Sequence, residues 1–161
     1  MPAQELHRLL ARKGADAEKL AAGVIENGIM QWKAIYVIAN LASVDNKKQI
    51  EKVFDRYFAP ISGPALITAA NVVRGGAKIA AAKPQLADRV AKEILKVENA
   101  RYKTPECRRI ALGHAIEAFD HFYAGIKNKK PVIGPVRRQL ESPRNATRKK
   151  AQRFMKRHGL N

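Results

Sequence analysis

One cysteine, Cys107, stands in a chain of 161 residues. An internal disulfide and a Cys-rich zinc module are both excluded. No apolar run approaches the roughly 18–20 residues that would span a bilayer. The chain turns polar at once, with Met1-Pro2-Ala3-Gln4-Glu5, so neither a membrane span nor a secretory leader is expected. A cytoplasmic location is the expectation that remains. Aromatic residues are scarce, at 6% with a single tryptophan, and form no aromatic-rich motif for reading bases. Glycine-rich phosphate loops, the HExxH pair and the nucleophile elbow are missing. No stretch sustains the apolar–polar alternation of a half-buried strand. Acidic residues are the last deficit: 14 against 31 Lys and Arg, a formal net charge of +17.

That charge is uneven. Residues 1–100 hold 15 basic and 10 acidic side chains, whereas residues 101–161 hold 16 and 4. Such an excess suits a polyanionic partner, whether nucleic acid, an acidic protein or an anionic membrane surface, and it also aids solubility. Hydrophobic residues make up 46%, enough for one domain over 1–161 with its own core. Prolines 64, 84, 105, 131 and 143 and glycines 14, 28, 63, 125 and 159 fall where helices begin and end. They divide the chain into helices expected near 3–13, 15–27, 30–43, 47–59, 64–81, 84–98, 105–125, 131–141 and 144–158. Pro135 must either delay its helix or disturb the first turn.

An internal repeat organises these helices. Gln31-Trp32-Lys33-Ala34, Leu66-Ile67-Thr68-Ala69, Arg108-Arg109-Ile110-Ala111 and Arg148-Lys149-Lys150-Ala151 align, with their alanines 35, 42 and 40 residues apart. Two-helix repeats have that period. Large apolar residues follow: Ile38, Leu41, Val72, Val73, Phe119, Phe122 and Phe154. The Arg-x-x-Ala opening, clearest in Cys107–Ala115 and Thr147–Ala151, resembles the HEAT-repeat family. The resemblance implies an all-α, right-handed α-α superhelix. It would comprise about four helical hairpins, near 15–43, 47–81, 84–125 and 131–158, plus an N-terminal helix. It also implies a ladder of arginine–acid pairs between repeats. Glu26, Glu98 and Glu141 lie near the turns in place of the family's aspartate. Gln31 and Leu66 occupy the arginine position, so the ladder is not expected in the first half.

In such a stack the second helix of each hairpin lines a concave face. Two residues after the register alanine come Tyr36, Asn71, Gly113 and Arg153. Six after it come Asn40, Gly75, Glu117 and Arg157. These rows lie on one side of each helix. With Arg74 and Lys78 they form the expected ligand floor: Tyr36, Asn40, Asn71, Arg74, Lys78 and Glu117. The polyanion site is expected at Arg137, Arg138, Arg144, Arg148, Lys149, Lys150, Arg153, Lys156 and Arg157, nine cations within 21 residues. Guanidinium groups suit phosphates. His114, Glu117 and His121 share one helix, but a straight helix spreads them over about 10 Å. Zinc needs donors at roughly 2 Å, so no metal or other cofactor is expected. Cys107 opens a helix as a structural residue. Trp32 either packs between repeats or offers a stacking surface. These readings converge on a non-catalytic binding or scaffold module for a protein or polyanionic partner, with no small-molecule substrate. Two alternatives stay open. One is a protein that binds the nucleic-acid phosphate backbone. The other is an enzyme similar to the HEAT-like alkylpurine DNA glycosylases, with Asp120 the only aspartate on a second helix.

Overall fold

The structure, a computed structural model, describes residues 28–160, with side chains from Trp32 onward. The helices expected over 3–13 and 15–27, Glu26 and the Gln31 side chain lie outside the described residues. Among the described residues all regular structure is helical and there is no strand. Seven α-helices follow one another: α1 (Gly28–Leu41), α2 (Gln49–Phe58), α3 (Leu66–Ala82), α4 (Ala87–Leu95), α5 (Pro105–Phe122), α6 (Lys130–Arg138) and α7 (Asn145–Arg157). No helix among the described residues is long and apolar enough to cross a membrane.

The expected spans end differently because each of the first six α-helices tightens into a 3₁₀ turn or is followed by one. The segment expected as one helix over 84–98 is a 3₁₀ turn at Pro84–Leu86, then α4, then another turn at Lys96–Glu98. A 3₁₀ turn satisfies terminal carbonyls that the α pattern leaves orphaned. α6 is not delayed by Pro135: it starts at Lys130 and keeps that proline inside. Its first turn is irregular. The amides of Val132 and Ile133 both donate to the Lys129 carbonyl, at 3.0 and 3.1 Å. Pro135 then removes a single intrahelical donor.

The longer helices form one layer, in which α1 packs on α3, α3 on α5 and α5 on α7. The shorter helices α2, α4 and α6 lie behind them. α2 buries Ile50, Val53, Phe54, Tyr57 and Phe58, the spacing of a one-sided helix. α3 has neighbours on both sides and buries residues almost all round, from Thr68 to Ala80. The register alanines Ala34, Ala69, Ala111 and Ala151 are all buried, which keeps the long helices close. Phe54, Phe58, Phe119 and Phe154 are buried in the shared core. Each such side chain contributes about 1.5–3 kcal/mol through its removal from water.

A series of polar links joins each helical pair to the next at a nearly constant separation. Tyr102 Oη donates to the Ile61 carbonyl at 2.7 Å, 41 residues away. Burial pushes that hydroxyl's pKa up to about 12. Arg89 pairs with Asp55 across 34 residues, Arg138 with Glu98 across 40 and Arg144 with Glu106 across 38. The Asp88 carboxylate accepts the amides of Lys127 and Asn128. The ladder therefore runs through the first half as well, against expectation, although not through the arginine position of the motif. Arg148, which does hold that position, donates to the Ser142 carbonyl of its own turn at 2.8 Å. In the first half the central link is buried. Lys83 Nζ lies 3.2 Å from Asp45 Oδ2, and the two side chains are 9% and 4% exposed. Asp45 also accepts the amides of Gln49 and Ile50 at 2.8 and 3.0 Å. It thereby caps α2, which Lys48 enters in a left-handed conformation with φ of 54°.

Candidate functional site

The exposed edges of the four long helices line three neighbouring hollows that share residues and together make an open groove. Its first stretch, about 540 Å³ between α1 and α3, is lined by Trp32, Lys33, Tyr36, Asn71, Arg74 and Lys78. The second, about 470 Å³ between α3 and α5, is lined by Arg74, Ala77, Lys78, Ala81, Glu117, Asp120, His121 and Arg157. The third, about 100 Å³ between α5 and α7, is lined by Glu117, Asp120, Lys150, Arg153 and Arg157. Arg74 and Lys78 belong to the first two stretches, and Glu117, Asp120 and Arg157 to the last two. Five of the six residues expected on the floor line this groove. Asn40 adjoins it: its Oδ1 accepts from Lys78 Nζ at 3.1 Å, and its Nδ2 donates to the Tyr36 carbonyl at 2.7 Å.

The groove's acids are engaged by neighbouring cations. Glu117 pairs with Lys150 at 2.9 Å. Asp120 pairs with Arg157, and its other oxygen lies 2.8 Å from His158 Nε2. Lys33, Arg74, Lys78 and Arg153 line the same groove with no acidic partner among the described residues. His114 lies beside Glu117, 3.7 Å from its carboxylate. Burial lowers the histidine's pKa, and the nearby Lys150 and Arg74 lower it further against the pull of Glu117. No group of three or more His, Cys, Asp or Glu among the described residues is placed to hold a metal ion. No family model, curated protein or solved structure matches this chain.

Two glycines of the expected floor rows sit at close helix contacts, and Gly75 also lines the first stretch. Gly75 is buried, and a Cβ there would overlap Tyr57 Oη and lie 3.1 Å from Ala39 Cβ. Gly113 is also buried, and its Cβ would lie 2.9 Å from Thr147 Oγ1. Both glycines serve close helix approach. On α3 and α5 the floor also runs a further turn, through positions five and nine after the register alanine. That i, i+3, i+7 continuation reaches Arg74, Lys78 and Asp120, and was the signal available for finding Asp120. Lys33 and His121, also on the groove, had no comparable signal.

The nine C-terminal cations divide among different partners. Arg138 and Arg144 serve the links between helical pairs. Arg137 and Arg148 donate to the carbonyls of Leu160 and Ser142. Lys150, Arg153 and Arg157 face the groove. Lys149 and Lys156 are exposed. Cys107 is half-buried, and its amide donates to Thr104 Oγ1 at 3.1 Å, which caps α5.

Proposed function

We propose that this chain is a HEAT-like α-solenoid, with the right-handed superhelix that the resemblance implies. Its groove would bind the phosphate backbone of a nucleic acid without catalysis. Support for the architecture is the pairwise packing of successive long helices and the recurrence of polar links 34 to 41 residues apart. One observation carries the function. The groove crosses all four long helices, its acids are engaged internally, and Lys33, Arg74, Lys78 and Arg153 remain along its length. A chain of evenly spaced anions complements such a row, whereas a single small anion would use one end of it. Phosphate contacts of this kind position a ligand and do not read sequence.

The test is a titration of fluorescent oligonucleotides at several salt concentrations. The triple variant R74E/K78E/R153E is expected to bind more than 10-fold more weakly, whatever the base sequence. Its salt dependence should flatten by about 2–3 in the slope of log K against log salt. These side chains are exposed, so each change should leave stability within about 0.5 kcal/mol. The control reverses Arg138 and Arg144, which join helical pairs away from the groove. It should lower the melting temperature more than the affinity. Equal affinity of wild type and the groove variant, or a salt-independent wild-type constant, rejects the reading.

A further inference from the structure

The α1–α3 end of the groove differs from the rest in carrying two exposed aromatic rings. Tyr36 is 61% exposed and Trp32, one helical turn earlier, is 37% exposed. Both are anchored. Trp32 Nε1 donates to Thr68 Oγ1 of α3 at 3.1 Å, which fixes the indole. Lys78 Nζ sits 4.8 Å from the Tyr36 ring centroid and is held there by Asn40 Oδ1 at 3.1 Å. An ammonium near a ring is attracted to its electron-rich face, so Lys78 helps order the phenol and leaves most of its surface to solvent. The cations lining this stretch are Lys33, Arg74 and Lys78, and no acid lines it. A groove that only tracked phosphates would have no use for large flat side chains exposed to water.

We propose that this end stacks an unpaired base on Tyr36, so that the groove takes single-stranded DNA or RNA in preference to duplex. The proposal rests on the phosphate-backbone reading above and names its ligand class. The chemistry needs both elements of this end: ordered aromatic faces for bases, and adjacent cations for the phosphates on either side. Stacking on an aromatic side chain tolerates any base, because each base has a π face. In a duplex the bases are already stacked on one another and cannot reach Tyr36. Trp32 stands beside the stacking ring, and it is the only tryptophan in the chain. Its fluorescence therefore reports on this end of the groove alone.

Four ligands of equal length distinguish the possibilities: oligo-dT, oligo-U, an abasic oligodeoxynucleotide and a mixed-sequence DNA duplex. Wild type is expected to bind oligo-dT or oligo-U more tightly than the abasic strand or the duplex. Trp32 emission should be quenched by the base-bearing single strands only. A preference between oligo-dT and oligo-U identifies which sugar the site accepts. Y36A should lose about 5–150-fold in affinity for the base-bearing strands and less than about 2-fold for the abasic strand. Y36F, which keeps the ring, should restore most of the loss. Equal wild-type affinity for abasic and base-bearing strands, or for duplex and single strand, overturns stacking and leaves the phosphate reading intact. No binding to any of the four rejects both, and turns this end into a surface for a protein partner.

Discussion

Replacing Asp45 with alanine is expected to destabilise the protein by about 3–5 kcal/mol, the usual cost of leaving one member of a buried ion pair alone. The Lys83 ammonium would lose the carboxylate 3.2 Å away while only 9% exposed. It would keep the Asp45 carbonyl at 3.0 Å and Glu51 at 3.9 Å, which moderates the loss. α2 would lose two amide acceptors together. For a chain of this length the melting temperature should fall by on the order of 10 °C. The double variant D45N/K83M removes the stranded charge and should recover part of the loss. The recovery is incomplete, because asparagine offers the α2 amides one oxygen in place of two.

The same pair gives a signed pH dependence. Burial alone pushes the Asp45 carboxyl up, but the amides of Ile50 and Gln49 and the charge of Lys83 outweigh it. They hold the pKa below the ordinary 3.8. A carboxyl depressed in the folded state contributes stability above its unfolded pKa and loses it as pH falls through the folded value. The stability gap between wild type and D45N should be full at pH 7 and narrow as the pH drops below about 3.8. Urea denaturation at pH 7, 4 and 3 measures it. A constant gap would mean that Asp45 acts through its shape and not its charge.

The second large effect is expected at Gly75. Its Cα faces the Tyr57 hydroxyl so closely that an added Cβ cannot be accommodated without moving the ring. Tyr57 is fully buried, and its hydroxyl reaches the Ile35 carbonyl of α1 at 3.4 Å. G75A therefore forces α1, α2 and α3 apart together. Overpacking of this kind costs about 1–3 kcal/mol or more, although alanine is the better helix former by about 1 kcal/mol. The rescue is specific. In a Y57F background the nearest ring atom becomes Cζ, 3.2 Å from the new Cβ, and a small shift suffices. Y57F alone gives up one weak hydrogen bond. The double-mutant cycle should show a favourable coupling of about 1 kcal/mol or more. Additive single effects would mean that Gly75 is crowded by Ala39 and not by the tyrosine.

A stability assay also separates this position from the groove. Gly75 lines the first stretch, but a Cβ there would point at Tyr57 and Ala39, so G75A is expected to disturb binding through the tilt of α1 on α3. The Tyr36–Lys78–Asn40 contact spans those two helices. Weaker base stacking in G75A is then expected to recover in G75A/Y57F along with stability.

Helix order, the register of the long helices and the position of most breaks were determined by sequence alone, because each depends on near neighbours. Proline and glycine act within one turn. A buried face repeats every three or four residues. The register alanines, spaced one unit apart, mark where long helices touch because only a small side chain permits the approach. Tyr36, Asn71, Arg74, Lys78 and Glu117 could be set on one helix side by the same periodicity. Tertiary structure alone decided what a glycine was for: Gly75 and Gly113 read as open floor, and both prove to sit at close helix contacts. It also decided which charges were available. Nothing local connects Lys83 to Asp45, Arg138 to Glu98 or Arg157 to Asp120, since each partner lies 37 to 40 residues away. The nine C-terminal cations form one cluster along the chain but take different partners, because consecutive helical residues point about 100° apart and the acids of the preceding unit claim several of them. The groove's charge is what those pairings leave over, and only the packed helices determine that remainder.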